Sequence, residues 1–205
     1  MPLKIKCIPE GKTETNCYIV WDEVSKDAVV IDPGFEDSNI FKYLVFERLT
    51  CKYVLLTHGH HDHVFGVPYM KRMYPRTMSY MHDGDLEIWA QNAKGDFYVP
   101  ENYPEKPDRS LQDGQKFKVG EHTFTAVHCP GHTPGSCIFM EKTQRLVFSG
   151  DVILDGKRGP TDQPGGDAAA MDATIELLKK ELEAGYTIYP GHGDPVNSGS
   201  VLRNL

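Results

Sequence analysis

The segment Thr57-His58-Gly59-His60-His61-Asp62-His63 places four candidate metal ligands, His58, His60, Asp62 and His63, within six residues. Imidazole nitrogen and carboxylate oxygen suit zinc, and also iron or manganese. Residues at i and i+2 point the same way on an extended backbone, so His58 and His60 can reach one ion. Asp62 and His63, past a turn, can reach a second, adjacent ion. Two divalent ions roughly 3.5–4 Å apart can share a hydroxide and a carboxylate, and bound water ionises near a pKa of about 7. That hydroxide is the expected nucleophile, so no Ser or Cys nucleophile is needed.

Positioning such ligands requires rigid elements that end at one place. Tyr53-Val54-Leu55-Leu56 is an apolar, β-prone run, which makes the histidine segment the loop leaving a buried strand. Three further sites share this design. Thr125-Ala126-Val127 precedes Cys129-Pro130-Gly131-His132, Leu146-Val147-Phe148 precedes Ser149-Gly150-Asp151, and Ile188-Tyr189 precedes Pro190-Gly191-His192. Glycine lets backbone approach a crowded site and proline stiffens the turn. Each strand would deliver one side chain, His132, Asp151 or His192, to a common mouth.

Around these lie strands expected at Leu3 to Ile8, Cys17 to Trp21, Ala28 to Ile31, Met78 to Met81, Lys116 to Val119, His122 to Val127 and Cys137 to Met140. A helix is expected from Ser38, as N-cap, to Arg48, with Ile40, Phe41, Leu44 and Val45 as its apolar face. Further helices are expected over Val64 to Met73, Asp83 to Gln91 and Asp167 to Ala184. The last has a buried stripe of Met171, Ile175, Leu178 and Leu182, with Glu176, Lys179, Lys180 and Glu183 facing water. Gly95 to Gln115, with three prolines, reads as a long surface loop of the kind that carries specificity. Strands, helices, strands and a helix suit two sheets packed face to face with helices outside, function gathering along one edge.

The 205 residues suit a single domain, 1–205. A net charge of -7 argues against a nucleic-acid partner, whose binding rests on Lys and Arg neutralising phosphate. Lys71, Arg72 and Arg76 read as a solvated face. Five cysteines, an odd number with no Cys-x-x-Cys pair, argue against a disulfide framework and for a reducing, cytoplasmic compartment. All five are expected to be small buried residues, with Cys129 near the ligands and sensitive to oxidation. Residues Met1 to Lys6 show no signal peptide, and no apolar run is long enough to span a membrane. His61 is expected to be a spacer pointing away from the ions. His128 either orients a ligand or is structural, and His82 and His122 read as surface or loop residues.

The pattern His-x-His-x-Asp-His, then a lone His, a lone Asp and a last His resembles the metallo-β-lactamase superfamily; Asp32 and Gly34 match its early Asp-x-Gly turn. The resemblance implies an α/β fold, a four-layer αβ/βα sandwich of two mixed β-sheets flanked by helices. It implies His58, His60 and His132 at metal one, Asp62, His63 and His192 at metal two, and Asp151 bridging both. Asp62 and Asp151 stand as candidate catalytic residues as well as ligands. Within the superfamily, Asn16-Cys17-Tyr18, Cys129 to Ser136 and Thr161 to Asp167 resemble small glyoxalase II-like hydrolases. That implies two divalent ions, Zn(II) first with Fe or Mn as alternatives, and a small-molecule thioester such as hydroxyacylglutathione as substrate.

Larger enzymes of that type carry a C-terminal helical domain that grips glutathione. Only thirteen residues of this 205-residue sequence follow His192, so no such domain is expected here. Where short relatives carry Gly-Arg-Ser/Thr-Asp, this chain has Gly159-Pro160-Thr161-Asp162, with Arg158 displaced by two places. Rival readings on the same scaffold are a persulfide dioxygenase holding one iron on His58, His132 and Asp151, a lactonase or phosphodiesterase, and a non-enzymatic metal binder. The residues do not set an oligomeric state.

Overall fold

The computed structural model describes residues 2–182 and 185–205; Met1, and Glu183 and Ala184 of the expected last helix, lie outside them. In chain order the elements are β1 (Leu3–Glu10), β2 (Thr15–Asp22), β3 (Asp27–Ile31), α1 (Ser38–Phe46), β4 (Thr50–Leu55), α2 (His61–Val64), α3 (Val67–Met73), β5 (Met78–His82), α4 (Leu86–Asn92), β6 (Arg109–Leu111), β7 (Lys116–Val119) and β8 (His122–His128). There follow β9 (Cys137–Glu141), β10 (Leu146–Gly150), β11 (Ile153–Leu154), β12 (Lys157–Arg158), α5 (Ala168–Glu181), β13 (Thr187–Pro190), β14 (Val196–Asn197) and α6 (Ser198–Asn204). One six-stranded sheet runs in the order β1-β2-β3-β4-β5-β6 and the other β14-β13-β10-β9-β8-β7. Both are mixed: β3 to β6 run parallel beside an antiparallel β1-β2-β3 meander, and β10 and β13 are parallel within an otherwise antiparallel sheet.

Why two sheets and not one follows from the strands' period-two burial. Every residue of β2 is buried, yet its side chains divide between two cores. Ile19 and Trp21, with Val30 and Val54, pack outward on Ile40, Leu44, Met70 and Trp89 of α1, α3 and α4. Tyr18 and Val20, with Val29, Ile31 and Leu55, pack inward on Phe124, Phe139 and Phe148 of the second sheet. The other face of that sheet, Ile138, Met140 and Val147, meets Met171, Ile175 and Leu178 of α5 and Val201 of α6. Three apolar layers therefore separate four layers of structure, helix–sheet–sheet–helix, which is the expected αβ/βα sandwich.

Several local expectations need correction. Asp37 caps α1, its carboxylate accepting from Asn39 N, so Ser38 is the first helical residue and not the cap. Val45 is 54% exposed, and Tyr43 packs on the core in its place. The helix expected over Val64 to Met73 is two, α2 and α3, because Gly66 folds back onto Pro33, donating to its carbonyl at 2.8 Å, and Pro68 restarts the helix. Asp167 caps α5 through Ala169 and Ala170 N and lies just outside it. The loop from Gly95 to Gln115 contains β6, which extends the first sheet. His122 is buried between Asp22 and Glu141, at 3.9 and 3.6 Å, and is no surface residue. Four cysteines are buried and Cys7 is half-buried; all five are free thiols. Cys129 packs beneath α5 with Met171 and Ile175, and burial pushes its thiol far up, which argues against ready oxidation.

Candidate metal centre

The seven expected ligands come together at the C-terminal ends of four strands. His58 and His60 follow β4, with Asp62 and His63 on the short helix α2; His132 follows β8, Asp151 follows β10 and His192 follows β13. Both sheets thus supply the site from one edge. His58, His63, His132, Asp62 and Asp151 are buried, and His60 and His192 are half-buried.

Three groups each offer ligand atoms within 4.8 Å of one another: His58, His60 and His132; His58, His63 and Asp151; and Asp62, His63 and His192. His60 Nδ1 lies 3.1 Å from His58 Nε2 and 3.0 Å from His132 Nε2. Asp151 stands between the outer groups, Oδ2 at 3.5 Å from His132 Nε2 and 3.7 Å from His192 Nε2, and Oδ1 at 3.5 Å from His63 Nε2.

The second nitrogen of each ring explains why these atoms face inward. His60 Nε2 lies 3.1 Å from Pro164 O, His132 Nδ1 2.8 Å from Pro160 O, His192 Nδ1 3.0 Å from Thr13 O, and His63 Nδ1 3.0 Å from Asp32 Oδ2. These oxygens only accept, so each takes an N–H; on His60, His132 and His192 that leaves the opposite nitrogen bare, and on His63 it leaves Nε2 as the nitrogen a cation would deprotonate. Thr57 Oγ1 gives its one proton to Asp32 at 2.6 Å and so accepts from His58 Nδ1 at 3.1 Å. Four lone pairs, on His58, His60, His132 and His192, converge around His63 Nε2, an arrangement that repels unless a cation sits among them. Among the described residues three buried side-chain atoms have no hydrogen-bond partner, Glu10 Oε1, His63 Nε2 and Asp151 Oδ1, and the last two belong to this cluster. Orphaned buried atoms of this kind fit an ion as the missing partner. The donor set, nitrogen and carboxylate oxygen without thiolate, suits zinc, iron or manganese.

Electrostatics agree. Burial, then the neighbouring imidazoles, holds His58 well below the ordinary histidine range; burial and His132 bring His60 down to about 4. Both rings therefore stay neutral and able to ligate at pH 7. Burial would also lower His63, but the Asp151, Asp32 and Asp62 carboxylates outweigh it and carry the ring up to about 10. Concentrated negative charge on that side attracts a cation.

Two supporting residues were not visible in the sequence. Asp85 is fully buried, and its carboxylate accepts from Gly59 N at 2.8 Å, Thr133 Oγ1 at 2.7 Å and Gly135 N at 2.6 Å. It ties the loop of His58 and His60 to the loop of His132. Thr15, at the start of β2, donates to Asp62 Oδ2 at 3.0 Å. No motif marks either residue, because each acts on a loop distant in sequence. His61 stays out of the ligand groups and stacks on Phe97 at 4.2 Å. His128 orients no ligand directly: its Nε2 lies 2.8 Å from Pro134 O, and its ring stacks on His82 at 4.0 Å. Arg158 is turned onto Asp172 of α5. Lys71 and Arg72 are paired with Asp108 and Glu36, each at 2.9 Å.

This fold and this edge of histidines define a known class. The model of the metallo-beta-lactamase superfamily matches residues 11–192, and the chain belongs to that superfamily. It is 33% identical to the hydroxyacylglutathione hydrolase GloC of Haemophilus influenzae, over 98% of this chain and 96% of that protein. Among solved structures it resembles TTHA1623 in a di-iron-bound form (TM-score 0.84, 30% identity, 97% and 98% of the two chains). It also resembles the BLEG-1 B3 metallo-beta-lactamase (TM-score 0.83, 29% identity, 98% and 97%). The chain is a hydrolase of this metal-dependent superfamily with a candidate metal-binding His/Asp cluster. Among the described residues no helix is long and apolar enough to cross a membrane.

Proposed function

We propose that this chain is a dinuclear-metal thioesterase of the glyoxalase II type, acting on a small thioester such as hydroxyacylglutathione. The observation that carries the reading is the convergence of five imidazole nitrogens and two carboxylates, with Asp151 facing both outer groups. In this reading His58, His60 and His132 would hold one ion and Asp62, His63 and His192 the other, with Asp151 available to both. Divalent ions bound there supply an ionised water at neutral pH and polarise the scissile carbonyl.

The chain's own residues do the rest. Asp32 and the carbonyls of Thr13, Pro160 and Pro164 fix the tautomers, so no ring must turn before it can ligate. Asp85 holds two ligand loops at one spacing, which is preorganisation of the kind that lowers a barrier. A thioester suits the site because its carbonyl is a good electrophile and its thiolate leaves readily beside a soft cation. The likeness to GloC supports the thioester class. Zinc is the favoured ion on the nitrogen-rich donor set, and the di-iron relative supports iron as the alternative.

Elemental analysis of the purified protein, run beside a panel of thioesters, lactones and persulfides, tests this. Two ions per chain and preferential thioester hydrolysis are expected. One iron per chain with oxygen uptake on glutathione persulfide overturns it in favour of a persulfide dioxygenase, and preference for a lactone redirects the substrate class.

A further inference from the structure

The two halves of the histidine site are braced by different parts of the chain. On the His58–His60–His132 side, Asp85 and the Pro160 and Pro164 carbonyls do the bracing. The Asp62–His63–His192 side rests on the hairpin between β1 and β2. Thr15 is fully buried, and its hydroxyl lies 2.9 Å from Thr13 Oγ1 as well as donating to Asp62 Oδ2. The Thr13 carbonyl receives the His192 ring, and the Thr15 and His192 backbones meet in an antiparallel bridge. Asn16 N then donates to Gly191 O at 2.7 Å, and the Asn16 amide to Pro190 O at 3.1 Å and Gly193 O at 2.8 Å. Two of the three ligands on this side, Asp62 and His192, are thus steadied by one hairpin.

We propose that Thr15 is a positioning residue that sets affinity for the second metal ion and leaves the first untouched. The inference rests on the dinuclear reading above. Asp62 Oδ2, the oxygen that accepts from the Thr15 hydroxyl, is also the one facing His192 Nε2 at 3.6 Å and His63 Nε2 at 4.0 Å. A donor on that oxygen holds the carboxylate in the rotamer that faces the site. It also draws electron density from the oxygen, which tempers its strength as a ligand. Removing the hydroxyl leaves Asp62 able to turn away from His192, while nothing on the Asp85 side changes. Outer partners of metal ligands contribute about 10–100-fold in affinity.

The test is titration of metal-free protein with zinc, followed by calorimetry and by metal content after dialysis, with the metal-free melting temperature recorded for each variant. Wild type is expected to take two equivalents. Thr15→Val keeps the branched shape without the hydroxyl, and Thr15→Ala removes the hydroxyl without added bulk. Both are expected to bind the first equivalent within about twofold of wild type and the second about 10–100-fold more weakly. Thr15→Ser is expected to restore both. Two unchanged equivalents in Thr15→Val and Thr15→Ala overturn the proposal, as does equal weakening of both ions or divergence between those two variants. A wild type that binds fewer than two ions overturns the dinuclear reading itself, and the role of Thr15 with it.

Discussion

Asp32 Oδ2 lies 3.0 Å from His63 Nδ1, and that one contact decides which nitrogen of a fully buried ring faces the site. Asp32 reaches it from a left-handed backbone (φ 50°), a conformation Asp tolerates better than most residues. The same carboxylate accepts from Thr57 N at 2.7 Å, so it also anchors the residue before His58. Asp32→Asn keeps the shape and removes the charge. It is expected to weaken total zinc affinity about 10–100-fold, read by competition with a coloured chelator. Affinity equal to wild type would show that the tautomer is fixed by something else.

His60→Ala removes Nδ1, the atom that stands 3.0–3.1 Å from both His58 and His132. It is expected to lose the ion on that side and nearly all turnover. Asp151→Ala should do worse than any change confined to one side, since Asp151 faces both outer groups. Metal content by elemental analysis, beside hydrolysis of a thioester, distinguishes them. Retained turnover with bound metals in His60→Ala, or full bimetal content in Asp151→Ala, contradicts the ligand assignment.

Glu10 makes the metal-free protein sensitive to pH. It is 2% exposed, and Oε2 accepts from Gly34 N at 2.7 Å and Phe35 N at 3.3 Å. Burial pushes its carboxyl up to about 8 from an ordinary 4.5, and the two N–H donors only partly offset this. The folded state therefore keeps a proton that the unfolded chain gives up. The contribution to stability is intact below pH 4.5 and is lost as pH rises through about 8. Each pH unit of a one-proton difference is worth about 1.4 kcal/mol, so the span amounts to a few kcal/mol. His58 and His60, held low in the folded state, act in the opposite direction below pH 6.5, so the effect of Glu10 is read as a difference: from pH 4.5 to 8.5 the melting temperature of wild type should fall relative to that of Glu10→Gln. Parallel curves for the two proteins would remove Glu10 as the cause.

At Gly191 the backbone comes close to two side chains of the cluster. A Cβ there would stand 2.2 Å from Asp151 Oδ1 and 2.7 Å from His63 Cε1. Gly191→Ala must displace one of them, which typically costs about 1–3 kcal/mol in a packed site. It is expected to lower the melting temperature and cut metal content below two ions per chain. Full occupancy with an unchanged melt would mean that the turn moves instead.

The strands with both faces covered, such as Ala28 to Ile31 and Tyr53 to Leu56, were readable because nearly unbroken apolar runs mean burial on two sides. The ligand set was readable because glycine turns follow those runs. Asp85 and Thr15 were not, since a lone Asp or Thr gains its role from a partner 26 or 47 residues away. The strands β11, β12 and β14 have two residues each, too short for any period. Helix α6 begins Ser198-Gly199-Ser200, a composition that reads as loop until Tyr186 supplies a carbonyl for Ser198 N. Val45 satisfies a helical stripe yet faces outward, because the core beneath α1 is filled by Tyr43.

The bridge between Thr15 and His192 has a consequence for biosynthesis. A nascent chain can assemble the first sheet long before residue 192 clears the ribosome, yet the hairpin waits for its distant partner until then. Before that point the chain would present Asp62 and His63 without the turn that completes their group, whereas His58, His60, His132 and Asp151 need nothing beyond residue 151, so the two halves of the site become complete at different stages of synthesis.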